Sequence, residues 1–64
     1  MRPDPNRMDE ATIAWLTCSS VEETQSHVKG ASLRELEEAR RRERSRIQPR
    51  KTALAIIERE LRRR

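Results

Sequence analysis

The chain has no phenylalanine and no tyrosine, and Trp15 is its only tryptophan. A core of stacked aromatic rings is therefore excluded, and aromatic stacking on nucleic-acid bases has little to draw on. Cysteine is equally scarce. Cys18 stands alone, so no internal disulfide can form. Cys18 and His27 are the only soft metal ligands, whereas a structural zinc site needs about four. One histidine, one cysteine and no glycine-rich loop leave no constellation for nucleophilic or acid–base catalysis. The expectation is a protein without catalytic residues, metal or cofactor. In that reading His27 is a partly exposed helix residue and Cys18 a small apolar core residue.

Long hydrophobic runs are missing as well. The longest near-apolar stretch, Ala11 to Leu16, is far too short to cross a bilayer. Met1 to Asn6 lacks the apolar run of a signal peptide, and a free cysteine fits a reducing compartment. Cytoplasm is the expected location, the host cytoplasm if the chain is phage-encoded.

Charge is what the sequence has in abundance. Charged residues make up 41% and apolar residues 33%, a balance close to that of disordered chains. Against disorder, there is one glycine and three prolines, and the apolar residues recur at helical spacing. With 64 residues there is room for one domain. A domain of this size buries only about 60% of the surface that its unfolded chain exposes. Disulfides and metals being excluded, oligomerisation is the support that remains.

The pattern predicts an all-α fold of three to four short helices, completed by dimerisation. Residues 1–8, with Pro3 and Pro5, read as a flexible arm, and residues 9–64 as a single helical domain. Asp9 is a good N-cap for a first helix running to about Cys18. Ala11, Ala14, Trp15 and Cys18 share one face of it, and Ile13 and Leu16 fall on the other. A helix apolar on nearly all sides is buried on more than one side. A second subunit can supply that burial, which places Ile13, Trp15 and Leu16 at a homodimer interface. Within one chain, Trp15 would instead anchor a small core.

Two serine–glutamate capping boxes follow, Ser20 with Glu23 and Ser32 with Glu35. The first opens a short helix from Val21 to about Lys29, stopped by Gly30 in a left-handed conformation. The second opens a helix from Leu33 to about Arg46, with Leu36 and Ala39 on a thin apolar stripe that then carries nothing large until Ile47. Glu37–Arg41 and Glu38–Arg42 are spaced as stabilising pairs on its exposed side. A last helix begins near Pro49 and presents Leu54, Ile57 and Leu61, with Ala53 and Ile56 beside them. The last two helices form an antiparallel hairpin, and Arg62, Arg63 and Arg64 complement its terminal dipole.

The charge is sorted along the chain. Residues 1–39 hold 4 basic and 8 acidic side chains, whereas residues 40–64 hold 11 basic and 3 acidic. The C-terminal part therefore carries +8, which suits an acidic partner. Arg40, Arg41, Arg42, Arg44, Arg46, Arg50 and Lys51 form the densest tract and are the candidate partner-binding residues. The plainer reading is a solvated helix end, neutralised in part by Glu37, Glu38 and Glu43.

Ala39 to Arg46, Ala-Arg-Arg-Arg-Glu-Arg-Ser-Arg, resembles the arginine-rich motif of lambdoid phage antitermination peptides. That resemblance implies a helix that binds an RNA hairpin. It covers eight residues, and the family's downstream aromatic has no counterpart after Trp15. A second resemblance spans about half the chain: Ser32-Leu33 and Glu35-Leu36, the Arg/Glu-rich stretch, Pro49 to Leu54, and Ile57-Glu58 with Leu61. This pattern is similar to helical hairpins of small phage and prophage proteins. It implies a mobile-element accessory protein of the kind that binds and redirects host proteins. The leading expectation is therefore a protein that docks a basic helical surface on an acidic host or phage protein. RNA or DNA binding through residues 40–51 is the alternative, and a structural role in virion assembly the third reading.

Overall fold

A computed structural model describes residue 4 and residues 6–63. The fold is all-α. Its helices are α1 (Glu10–Cys18), α2 (Val21–His27), α3 (Leu33–Arg44) and α4 (Lys51–Arg62), with a 3-10 turn at Val28–Gly30 between α2 and α3. None of these helices is long and apolar enough to cross a membrane.

Each start follows from a local residue choice. Asp9 caps α1, its carboxylate accepting from the Ala11 N–H at 3.0 Å. Ser20 caps α2 through the Glu23 N–H, but only this forward half of the expected box is made. At α3 both halves form: Ser32 Oγ accepts from Glu35 N, and the Glu35 carboxylate accepts from Ser32 N. α3 ends at Arg44, two residues before the expected stop, and Pro49 lies outside α4, whose N-cap is Arg50. Proline restricts the backbone of the residue before it, so helix cannot run through to Pro49.

Gly30 is not left-handed, contrary to the sequence expectation. The α2 segment tightens instead into the 3-10 turn, and the Ala31 N–H closes on the Val28 carbonyl at 3.3 Å. A 3-10 ending satisfies the orphan carbonyls without a positive φ.

α3 and α4 form the hairpin, joined by residues 45–50, with α1 packed on α3 and α2 on α4. The core unites Ile13, Leu16, Val28, Ala31, Leu36, Ala39 and Ile57, with Ile56 and Leu61 packed against it. The Cα radius of gyration is 10.4 Å. Scaling for a compact chain of this length gives about 10.7 Å, so one copy closes its own core.

This closure corrects the interface assignment. Ile13 and Leu16 have no exposed surface within the single chain, and of the three proposed residues only Trp15 is open, at 49%. α1 turns its Ile13–Leu16–Thr17 side inward and leaves Ala11, Ala14, Trp15 and Cys18 outside. Cys18, expected in the core, is exposed too. Of the expected arm, residues 1–3 and 5 lie outside the described residues, as does Arg64 at the other end. Arg7 is anchored: its guanidinium bonds Glu35 and the Gly30 carbonyl, and its own carbonyl accepts from Ser32 Oγ at 2.5 Å.

Candidate functional site

α3 carries two carboxylates that have no exposed surface, Glu35 and Glu43. Eight residues apart, they share the side of the helix that also carries Leu36 and Ala39. Glu35 accepts Arg7 Nε and Nη2, both at 3.0 Å, and the backbone N–H groups of Asp9 and Ser32, both at 2.7 Å. Burial, the largest single influence, raises the Glu35 pKa, yet the Arg7, Ser32 and Asp9 hydrogen bonds overcome it and hold the carboxyl at about 2. Glu43 accepts the Arg50 N–H at 2.9 Å and Arg50 Nη2 at 3.1 Å, with Arg46 Nη1 at 3.5 Å. It too is pushed up by burial and drawn below its ordinary value by Arg50 and Arg46.

These ion pairs divide the basic tract. Arg46 donates to the Thr17 carbonyl at 2.7 Å, and Arg50 donates to the carbonyls of Thr17, at 2.8 Å, and Ser19. Both guanidinium groups thus cap the C-terminal end of α1, where the helix leaves unpaired carbonyls and partial negative charge. Arg42 spans α3 and α1. Its Nη1 and Nη2 reach the Glu10 carboxylate at 3.0 and 2.9 Å, and its Nε reaches Glu38 at 2.7 Å. These contacts lower the pKa of Glu10. The hydrogen bonds from Arg41 and then Arg42 hold Glu38 at about 2. The expected Glu38–Arg42 pair is made, whereas Arg41 bonds Glu38 and not Glu37.

The seven basic residues therefore do not form one surface. Arg42, Arg46 and Arg50 hold the fold together. Arg40, Arg41 and Arg44 line a shallow groove of about 310 Å³ with Ser45. Arg40 and Arg44, one helical turn apart, are exposed and bond no carboxylate among the described residues. Lys51 is exposed as well but does not line that groove.

A second groove, of about 600 Å³, runs along the outer face of α1 and is lined by Ala11, Ala14, Trp15, Cys18, Ser19, Ser20 and Glu23. The His27 ring lies against Trp15, with centroids 4.9 Å apart and planes tilted by 34°. The sequence offers Trp15 two roles, core anchor or interface residue, and does not reveal the structural roles of Glu35 and Glu43; the structure leaves Trp15 half exposed. The signal was available: the apolar stripe of Leu36 and Ala39 continues one turn later at Glu43, so a carboxylate there had to be buried and paired.

No protein-family model, curated protein or solved structure matches the chain.

Proposed function

We propose that the chain is a non-enzymatic binding protein that docks the Arg40–Arg41–Arg44 face of α3 on an acidic patch of a partner protein. The observation that carries this reading is the contrast within one tract. Arg42, Arg46 and Arg50 are committed to internal carboxylates and carbonyls, while Arg40 and Arg44 project outward with no carboxylate partner among the described residues. Guanidinium groups in that state are ready to grip carboxylates bidentately. The similarity to phage and prophage hairpins supports a mobile-element accessory role, with a host or phage protein as the target.

Two features favour protein over nucleic acid. Glu37 is exposed one turn before Arg40 and Arg41, with no basic partner of its own among the described residues, and would repel phosphate. The groove is lined by three arginines across about 6 Å of helix axis, and Arg41 among them is already bonded to Glu38. Strong, salt-sensitive nucleic-acid binding draws on roughly 6–10 phosphate contacts.

The test is capture from host lysate, with and without nuclease digestion, by the wild type and by the Arg40→Ala/Arg41→Ala/Arg44→Ala variant. Alanine is the best helix former, so the variant should keep its helical content. An acidic protein retained by the wild type after digestion and lost from the variant is the expected result. Loss of every partner on digestion would transfer the same arginines to the nucleic-acid reading. Equal capture by variant and wild type would reduce the tract to a solvated helix face.

A further inference from the structure

We propose that two copies of the chain pair by reciprocal insertion, the Ile47 loop of each entering the Trp15 groove of the other. Ile47 is fully exposed, and with Met8 and Trp15 it is one of three large apolar side chains left open among the described residues. The residues flanking it are nonetheless tied to α1. Arg46 on one side and Arg50 on the other are both bonded to the carbonyls that end α1. The loop is thus tied down on both flanks and presents an aliphatic side chain to solvent.

The same carbonyls lie beside the groove. Cys18 and Ser19 line its end, and Ser19 itself accepts from Arg50. The loop that carries Ile47 is therefore joined, through Arg50, to the Ser19 end of the groove at the C-terminus of α1. Adjacent complementary patches can be exchanged by a two-fold axis passing between them, which closes the assembly at two copies. A stable interface takes about 800 Å² from each partner, more than one inserted side chain supplies, so both insertions are required.

Charge agrees with this pairing. Glu23 lines the groove and Glu22 adjoins it, both exposed and without an ion-pair partner among the described residues. Lys51, exposed and likewise unpaired among them, follows Ile47 by four residues. Insertion brings the basic end of the loop of one copy to the acidic rim of the other. Two copies meeting groove to groove would set Glu22 and Glu23 against their own kind.

Sedimentation of the full chain is the primary test. The wild type should show a reversible dimer, and Ile47→Glu a monomer with unchanged circular dichroism, since no packing is lost at a fully exposed position. The Glu22→Lys/Glu23→Lys variant should dissociate at least ten times more readily. A wild type that stays monomeric at high micromolar concentration would overturn the proposal, as would an Ile47→Glu variant that pairs normally. In an Ile47→Cys variant, isotope-labelled and unlabelled copies are mixed and mildly oxidised. A disulfide joining Cys18 of one copy to position 47 of the other is expected, and links confined to single chains would count against the pairing. The Arg40→Ala/Arg41→Ala/Arg44→Ala variant should dimerise like the wild type. Its failure to pair would move the interface to α3 and sink the assignment.

Discussion

The buried carboxylate of Glu43 accepts both the backbone N–H of Arg50, at 2.9 Å, and the guanidinium Nη2 of the same residue, at 3.1 Å. One side chain near the end of α3 thus fixes the first turn of α4, because Arg50 is the α4 N-cap and has no side-chain capping bond of its own. Breaking a buried ion pair from one side leaves the other charge uncompensated, at a cost of roughly 3–5 kcal/mol. Arg50 keeps 27% of its side chain in contact with water, so Glu43→Ala should cost about 3 kcal/mol, the low end of that range. Glu43→Gln, which still offers an acceptor to the Arg50 N–H, should cost less. Urea denaturation of the two variants checks the order.

Acid should loosen the protein through Glu35. Its carboxyl is held at about 2 against an ordinary 4.5, so the folded state binds this proton less readily than the unfolded chain. The stability it contributes is complete above pH 4.5 and is lost as pH falls towards 2. Glu43 is lowered too and adds a loss of the same sign. The urea midpoint should fall across this window, and Glu35→Gln should flatten the fall. A wild-type midpoint that does not move between pH 4.5 and pH 2 would contradict the buried pairing.

Gly30 should be replaceable. Its φ is not positive, and a Cβ built on it meets no atom within 4 Å. Substituting glycine at a compatible backbone position restricts the unfolded chain and stabilises by about 0.4–1 kcal/mol. Gly30→Ala should therefore raise the melting temperature. A lower one would mean that the left-handed conformation is adopted after all.

Ile57 and Ile47 provide a matched pair. Ile57 is completely buried and Ile47 completely exposed. Ile57→Ala should cost about 2–5 kcal/mol, enough to unfold a domain this small, by the measured range for buried aliphatics. Ile47→Ala should stay within about 0.5 kcal/mol, as surface changes do. Thermal melts of both in the monomeric concentration range decide the matter.

Helical periodicity and capping chemistry are enough to read an all-α fold of three to four helices and the α3–α4 hairpin from the residues, and the structure has four. Asp9, Ser20 and Ser32 are found at the helix starts where their side-chain oxygens belong. The basic tract was harder, because a run of arginines looks uniform in sequence. Which of them bond inward depends on the crossing of α1 over α3, and that crossing places Thr17 and Ser19 within reach of Arg46 and Arg50. Ile13 and Leu16 were misplaced for a related reason. Counting apolar residues around α1 cannot show that Leu36, Ala39 and Ile57 already cover that side.

Glu35 and Glu43 also make α3 a gauge for the length of α1. They are eight residues apart, about 12 Å along the helix, and α1 with its nine residues measures about 13.5 Å. Glu35 holds the entry to α1 through the Asp9 N–H, while Glu43 holds Arg46 and Arg50 against its exit. Deleting one residue between the two carboxylates would turn one of them by about 100° and shift it by about 1.5 Å, away from its partners. The same change in α1 would pull the exit carbonyls out of reach. Insertions and deletions should therefore be excluded from both helices together, so that neither can change length unless the other changes with it.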